Sequence, residues 1–375
     1  MPVNPLHSLH FLLPFSLPSA VDVRPALAHF SCPAFERLIA RASLIETLRG
    51  EDFQRRLPHE RWLAQHFGVM PCAASPAVTD NASALPSDDA PLAPYMLLAD
   101  GGAPGEAVWA CVEPVHIHIA PDHLVLIDPA SLDLSDDDAA TLYAVAQPLI
   151  EEAGLRVQAP CPRRWYLSGA ALGALAGTSP LRASGRSIEI WLPHETRSGK
   201  RSRPWMKLEN EIQMAWFGHP VNEAREARGL PAVNSVWLYA QGALQPVASP
   251  YTQVLSDAVA TRGLALAARV AWAPAPENFA RTCRTFPHAT HHAALVELDA
   301  FSAPFLEQDW PRWRAAFARL ESSWFAPALM ALQNGSLDAI GLTLCGDTGS
   351  VTLHITRGDL RRLWRRRTFA SLCTE

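Results

Sequence analysis

The chain has 375 residues, of which 49% are hydrophobic and 18% are charged. This length and composition predict a folded protein of about two domains and exclude an intrinsically disordered chain. The formal net charge of −5 provides no overall field that would attract nucleic acid. The seven cysteines are an odd number without Cys-x-x-Cys spacing. We therefore expect reduced thiols in a cytoplasmic protein, with neither a disulfide framework nor a structural zinc site.

No run of about 18 apolar residues could cross a bilayer, so we expect no membrane partner. The apolar stretch Leu9–Leu17 has part of the character of a signal peptide. No lysine or arginine precedes it, and Pro14 and Pro18 interrupt it, which argues against a signal peptide.

The first 94 residues are predicted to contain a strand, two helices and a linker. Leu9–Phe15 is predicted to be a buried strand, whereas Ala34–Leu48 and His59–Phe67 show the apolar spacing of helices. Residues 72–94 are rich in Ala, Ser, Pro and Asp, a composition typical of a flexible linker.

Residues 95–199 are predicted to form a small α+β unit. Ala107–Ile119 and Leu124–Ile127 form a predicted hairpin, and short strands are expected at Leu155–Gln158 and Arg164–Leu167. Between them lies a predicted helix that ends near Ala153. Its expected N-cap is Ser135, three aspartates follow in its first turn, and Gly154 suits the position after its end.

Residues 200–375 are predicted to alternate between helices and strands, which favours a parallel-rich α/β core. The predicted helices are Leu208–Phe217, Tyr251–Ala268, Trp310–Gln333 and a basic helix at Gly358–Arg367. The predicted strands are Ser235–Tyr239, Leu295–Leu298, Leu337–Leu344 and Ser350–Ile355.

The most specific motif is the block His219–Gly242, in which polar and cationic residues precede an apolar strand. It resembles a segment of the archaeal-type cofactor-independent phosphoglycerate mutases. The residues that match are His219, Pro220, Asn222, Arg225, Gly229, Asn234, Trp237, Leu238 and Gly242. In that family the segment leads from an inserted domain back into a phosphatase-like core.

A closer resemblance is to the RpfE-type regulatory proteins of Gram-negative bacteria. The segments that carry it are Trp109–Asp128, Arg163–Tyr166, Glu209–Gly242 and Trp324–Leu329. The resemblance implies an α/β core of the alkaline-phosphatase and phosphoglycerate-mutase type, formed by residues 1–71 and 200–375. An inserted α+β domain would occupy residues 95–199.

The resemblance also implies two divalent metals and a nucleophilic serine, but several expected ligands are absent. Phe15-Ser16-Leu17-Pro18 follows the first predicted strand where the family has Asp-Gly. Asp347 lacks the histidine that should follow it, and Asp299 lacks a later Gly-His. Metal-assisted phosphoryl transfer depends on such oxygen and imidazole ligands. His116 and His118 lack a third ligand. His288, His291 and His292 form a loop cluster that could bind metal or sense pH, but we interpret it as a solvated loop. We therefore assign no catalytic residue, metal ligand or cofactor.

A cluster of cationic and amide side chains is the candidate ligand site, since such groups bind phosphate or carboxylate. Its members are His219, Asn222, Arg225, Arg228, Asn234, Arg163 and Arg164. The alternative is a structural role, because an asparagine in a turn can bind backbone groups and an arginine can join two segments.

These observations favour a catalytically impaired, mutase-like protein that acts as a cytoplasmic regulatory or ligand-binding protein. Its expected partner is a phosphorylated small molecule or a regulatory protein. Two alternatives stay open. One is an active phosphoglycerate mutase or phosphatase with a rearranged site. The other is a nucleic-acid-associated factor, although we expect no nucleic-acid partner; it would use the basic segment that contains Arg361, Arg362, Leu363, Trp364, Arg365, Arg366 and Arg367.

Overall fold

The computed structural model describes residues 7–70, 90–170, 172, 175–285 and 293–374. The chain divides into two compact units. Unit 1 consists of residues 1–52, 57–67 and 248–375, and unit 2 consists of residues 53–56 and 68–247. Both units combine sheets with helices, so the predicted mixed α/β class is confirmed.

Within the described residues, unit 1 is built on a seven-stranded sheet in the order β11-β10-β12-β1-β13-β14-β2. The strands are β1 (Ser8–Leu13), β2 (Ser43–Leu48), β10 (Gln253–Leu255), β11 (Ala271–Ala273), β12 (Ala293–Glu297), β13 (Ala339–Cys345) and β14 (Ser350–Thr356). β1 is central and pairs in parallel with β12 and β13. β10 is parallel to β11 and β12, whereas β14 is antiparallel to β13 and β2. The carboxyl ends of five parallel strands therefore lie along one edge.

The helices of unit 1 pack on this sheet through buried aromatic and aliphatic side chains. They are α1 (Val23–Ala26), α2 (Pro33–Arg41), α3 (Pro58–His66), α9 (Val259–Ala267), α10 (Phe279–Thr285), α11 (Ser302–Leu306), α12 (Trp310–Leu320), α13 (Ala326–Asn334) and α14 (Phe369–Thr374). The predicted helix Trp310–Gln333 is present as α12 and α13. A π-helical turn at Glu321–Phe325 joins them, and Gly335 ends α13 with φ 83°.

Three helix predictions in unit 1 were wrong in part. The helix predicted for Ala34–Leu48 ends at Arg41, and Ser43–Leu48 instead pairs with β14 as an edge strand. Residues Gln253–Leu255, at the start of the predicted helix Tyr251–Ala268, form a strand between β11 and β12. In each case hydrogen bonds to distant strands outweigh the local helical spacing.

The third error concerns the basic segment Gly358–Arg367. Only Asp359–Arg361 forms a short 3₁₀ turn, and the terminal helix begins later, at Phe369. Arg365 and Arg367 use their guanidinium groups to bind backbone carbonyls near the end of α2, which holds the segment in a folded loop.

Unit 2 contains a five-stranded antiparallel sheet. Its strands are β3 (Val108–Ile119), β4 (Leu124–Ile127), β5 (Arg156–Cys161), β6 (Arg164–Ser168) and β9 (Ser235–Ala243), and β7 (Leu175–Ala176) pairs separately with β8 (His194–Glu195). Its helices are α4 (Ala93–Ala99), α5 (Asp136–Glu152), α6 (Pro180–Ala183), α7 (Arg203–Trp216) and α8 (Pro220–Ala227). α5 begins as predicted, because the hydroxyl of Ser135 accepts a hydrogen bond from the Asp138 amide at 3.1 Å, and Gly154 follows its end with φ 76°.

The core of unit 2 lies between one face of the sheet and helices α5, α7 and α8. Ala110 and Val112 of β3 pack there with Leu142 of α5 and Trp216 of α7. α4 packs against β3 and β9.

The C-terminal boundary of unit 2 differs from the predicted one. The sequence predicts a return to the core at residue 200, whereas residues up to 247 belong to unit 2. The reason is that β9 pairs with β3 from Val108 to Val115 and α7 contributes to the core of the same unit. Most of the predicted linker, residues 72–94, lies outside the described residues, and its last two residues begin α4. The assignment of unit 1 as a mutase-like core and of residues 95–199 as an insertion stays a prediction.

Among the described residues, every helix is too short or too polar to span a membrane.

Candidate functional site

The predicted anion cluster begins at the junction of α7 and α8. Gly218 has φ 67°, which lets the chain turn sharply after α7. His219 then caps α8, because its Nδ1 accepts a hydrogen bond from the Val221 amide at 3.2 Å. The imidazole therefore serves the start of this helix.

Asn222 and Arg225 are buried in α8 and bind the main chain. The amide nitrogen of Asn222 donates to the carbonyls of Trp216 (3.0 Å) and Val233 (2.9 Å), and its oxygen accepts from the Val233 amide at 2.8 Å. The Asn222 side chain thereby ties the end of α7 to the loop that precedes β9.

The guanidinium of Arg225 is fully buried. Its Nε donates to the carbonyl of Pro231 at 3.0 Å, Nη1 to that of Asp133 at 3.0 Å, and Nη2 to that of Leu132 at 2.5 Å. Arg225 therefore joins α8 to the loop between α8 and β9 and to the loop that precedes α5.

Asn234 and Arg228 lie at the border of the same block. The Asn234 side chain accepts from the Ile117 amide at 2.7 Å and donates to the Ile117 carbonyl at 2.9 Å, which continues the pairing of β3. Arg228 is 58% exposed, and its Nη2 lies 3.7 Å from a carboxylate oxygen of Asp138.

Arg163 and Arg164 lie at the start of β6 but have different partners. Arg163 is 57% exposed and lies 2.9 Å from Asp136. Arg164 makes two 3.0 Å hydrogen bonds to the buried carboxylate of Asp100, which also accepts a 2.6 Å bond from Tyr166.

The structure thus brings part of the predicted cluster together. Arg163 and Arg228 both pair with aspartates of the first turn of α5, whereas Arg164 belongs to the Asp100 network. Within the described residues, the side chains of His219, Asn222, Arg225 and Asn234 form hydrogen bonds with the protein's own backbone, as the structural alternative expects. Anion binding at this cluster stays a prediction.

The second candidate region is the edge of the unit 1 sheet where the parallel strands end, the usual ligand position of open α/β sheets. After β1 the chain turns at Phe15, whose φ is 52° and whose side chain is fully buried. Its ring lies 5.6 Å from that of His59 and 5.2 Å from that of Phe305. The indole of Trp313 donates to the Phe15 carbonyl at 2.9 Å, so ring packing and this hydrogen bond together fix the turn.

Ser16 and His59 are buried beside this turn. The Ser16 hydroxyl donates to the Leu13 carbonyl at 2.8 Å. Burial lowers the pKa of His59 to about 4, so the imidazole is neutral at physiological pH. Among the described residues, Nδ1 of His59 has no hydrogen-bond partner.

Glu297 is a buried carboxylate at this edge that the sequence did not predict as a candidate site residue. It ends β12, is 5% exposed, and accepts a 2.6 Å hydrogen bond from the hydroxyl of Ser256 after β10. Burial, and to a smaller extent the nearby Asp299 and Asp257, raises its pKa to about 7. The signal in the sequence was a carboxylate at the end of the apolar run Ala294–Val296.

No group of three or more His, Cys, Asp or Glu side chains with metal-binding geometry is found among the described residues. Asp299 is engaged locally, since Ser302 donates to it through its amide and its hydroxyl. The Cys345 thiol at the end of β13 is buried, which raises its pKa well above the ordinary value. His288, His291 and His292 lie outside the described residues.

A partly buried imidazole lies within the sheet. The Nε2 atom of His10 in β1 is 2.8 Å from the Thr343 hydroxyl, and the Thr343 and Thr352 hydroxyls are 3.0 Å apart. Burial lowers the pKa of His10 to about 3. His10 therefore acts as a neutral core group, packed 4.8 Å from the ring of Trp62.

No protein-family model and no curated protein matches the chain. Among solved structures, the cofactor-independent phosphoglycerate mutase from Thermoplasma acidophilum DSM 1728 is 14% identical, covering 98% of this chain and 94% of that chain with a TM-score of 0.47. The PH0037 protein from Pyrococcus horikoshii is 11% identical, covering 94% and 88% with a TM-score of 0.45. These similarities assign no role to any residue, and the RpfE-type assignment stays a prediction.

Replacing Arg225 by alanine is expected to lower the free energy of unfolding of unit 2 by about 3 kcal/mol, because three backbone carbonyls lose their donor. The matched control is Arg228→Ala, which removes a half-exposed ion pair and should change that free energy by about 0.5 kcal/mol or less. Urea unfolding of both variants measures the difference. Equal losses would contradict the structural role of Arg225.

Replacing Glu297 by glutamine is expected to remove a pH dependence of unit 1 stability. The folded-state pKa of Glu297 is about 7, above the ordinary 4.5, so the folded state retains a proton that the unfolded state releases. The stabilisation is complete below pH 4.5 and is lost as the pH rises through 7, by about 3 kcal/mol. The difference in unfolding free energy between the natural chain and Glu297→Gln, measured across this range, isolates the effect. A flat difference curve would contradict it.

Proposed function

We propose that this chain is a regulatory or ligand-binding protein of phosphoglycerate-mutase-like, RpfE-type character that does not catalyse metal-dependent phosphoryl transfer. The observation that carries the proposal is the turn after β1. Phe15 and Ser16 occupy the place where the resemblance expects a metal-binding Asp-Gly, and both side chains are completely buried.

Phosphoryl transfer by a two-metal site needs several oxygen and imidazole ligands that converge on a space open to substrate. At this edge Ser16 donates to Leu13, Glu297 accepts from Ser256, and Asp299 accepts from Ser302. A serine that is buried and bound to a backbone carbonyl is also poorly placed to act as a nucleophile. These contacts support the interpretation that this edge of the sheet stabilises the fold and does not bind metal.

The proposed ligand is a phosphorylated small molecule, and a regulatory protein is the other partner class that the proposal includes. Arg163 and Arg228 are the accessible cations of the predicted cluster. Their partners, Asp136 and Asp138, lie in the first turn of α5. Exposed ion pairs contribute only about 0–1 kcal/mol, so releasing the two arginines from these carboxylates costs little.

The cysteines support the proposed cytoplasmic location. Within the described residues, Cys32, Cys111, Cys161, Cys345 and Cys373 are free thiols. Reduced thiols are the usual state in a cytosolic compartment.

The full-length protein is expected to show no phosphoglycerate mutase or phosphatase turnover when Mn²⁺ or Zn²⁺ is supplied, because the edge residues bind one another. Coupled mutase and phosphate-release assays, with metal analysis of the purified protein, test this expectation. The control is Ser16→Ala, which removes the Ser16 hydroxyl at the β1 turn. Turnover that requires bound metal and disappears on chelation would overturn the proposal in favour of an active enzyme.

A thermal-shift screen of phosphorylated small molecules is expected to give a stabilising compound whose effect is lost in the double variant Arg163→Gln/Arg228→Gln. The control is Lys207→Gln, a similarly exposed cation that pairs with Glu211 on α7. Retention of the full shift in the double variant would exclude these two arginines as the ligand site. Equal loss in the control would show a nonspecific charge effect.

A further inference from the structure

The basic segment near the C-terminus exposes two large apolar side chains next to each other. Leu363 is 65% exposed and Trp364 is 75% exposed. Arg361 and Arg366 flank them in the sequence and are also exposed. We call these four residues the Trp364 surface.

Arginine hydrogen bonds hold the Trp364 surface against the end of α2. Some are donated by Arg41 to the segment, and others are donated by the segment to the end of α2. Arg41, the last residue of α2, donates to the carbonyl of Arg362 at 3.1 Å and to that of Arg365. Arg365 donates back to the Arg41 carbonyl at 3.2 Å, and Arg367 donates to the Ala42 carbonyl at 3.0 Å. The loop is thereby fixed before any partner binds, which lowers the entropic cost of binding.

The charges of this segment divide into two groups. Arg362 and Arg365 lie 2.9 Å and 3.2 Å from the carboxylate of Asp359. By contrast, the side chains of Arg361 and Arg366 make no hydrogen bond or ion pair with any residue that the structure describes. Two cations without an ion-pair partner among the described residues therefore flank the exposed Leu363 and Trp364 in the sequence.

We propose that the Trp364 surface docks unit 1 on an anionic phospholipid membrane. Trp364 and Leu363 would enter the boundary between headgroups and acyl chains, as tryptophan and leucine do in interfacial segments. Arg361 and Arg366 would contact lipid phosphates, at about 1 kcal/mol for each cation near an anionic surface. Leu44 of β2, 42% exposed, lines a cavity with Arg365, Arg366 and Arg367 beside this surface.

A lipid surface fits these side chains better than a nucleic acid does. Grooves for single-stranded nucleic acid combine cations with several aromatic rings on which successive bases stack. Here Trp364 is the one ring of the surface and its exposed neighbour is an aliphatic leucine. The expectation of no membrane partner rested on the lack of a spanning segment, which a surface contact does not need.

The test is co-sedimentation of the full-length protein with vesicles of phosphatidylcholine alone or mixed with phosphatidylglycerol. Binding is expected only to the mixed vesicles, and it should weaken as salt is raised. Arg361→Gln/Arg366→Gln should weaken the partition coefficient about 30-fold, and Trp364→Ser should weaken it about tenfold. Unchanged thermal unfolding of both variants shows that the loop remains folded.

Matched controls distinguish binding through this surface from a general effect of losing positive charge or an exposed apolar side chain. Arg24→Gln/Arg319→Gln removes two other exposed arginines of unit 1, and Met330→Ser removes a methionine that is 59% exposed. Both controls should bind the mixed vesicles as the natural chain does. Absence of binding to the mixed vesicles, or equal losses in the controls, overturns the proposal. Binding of a labelled single-stranded oligonucleotide that needs Trp364, without vesicle binding, overturns it in favour of a nucleic-acid partner.

Discussion

The buried guanidinium of Arg225 is the interaction on which the organisation of unit 2 depends. A cation removed from water is tolerated only when its donors are satisfied, and here the donors end on carbonyls of two separate loops. This requirement fixes α8 relative to the loop before α5. Asn222 and Asn234 extend the same pattern to α7 and β3. The block that looks most like an active-site signature therefore uses its polar groups to hold backbone segments together.

The edge of the unit 1 sheet shows a related use of polar residues. Side chains that could bind a metal or a substrate in an open α/β sheet are here buried in pairs, as with Glu297 and Ser256. Neutral His10 and His59 belong to the same pattern, since burial lowers the pKa of each. In both units, polar side chains thus form hydrogen bonds with other groups of the protein. Among the described residues, the exposed Arg163 and Arg228, which pair with aspartates of α5, and the loop that carries Trp364 are the surfaces on which the two binding proposals rest.

The sequence predicted those elements whose signals are local. The Ser135 cap, the glycine after α5 and the apolar β1 were all readable from neighbouring residues, because capping and burial depend on a few positions. Ser43–Leu48 and Gln253–Leu255 were not, since their strand partners lie far away in the chain. The same limit applies to the site. The sequence predicted Arg225 as one of a cluster of cations. Its carbonyl partners at Leu132 and Asp133 are more than 90 residues away, so the residues around Arg225 do not indicate them.

The central position of β1 has a consequence for biosynthesis. Ser8 pairs with Ala293 on one side and with Ala339 on the other, so β1 has no neighbour in its sheet until residues 293 and beyond have been synthesised. Unit 2, which ends at residue 247, is complete before either neighbour of β1 exists. The nascent chain must therefore carry an unpaired apolar strand through translation, and such strands are the segments that aggregate or recruit chaperones.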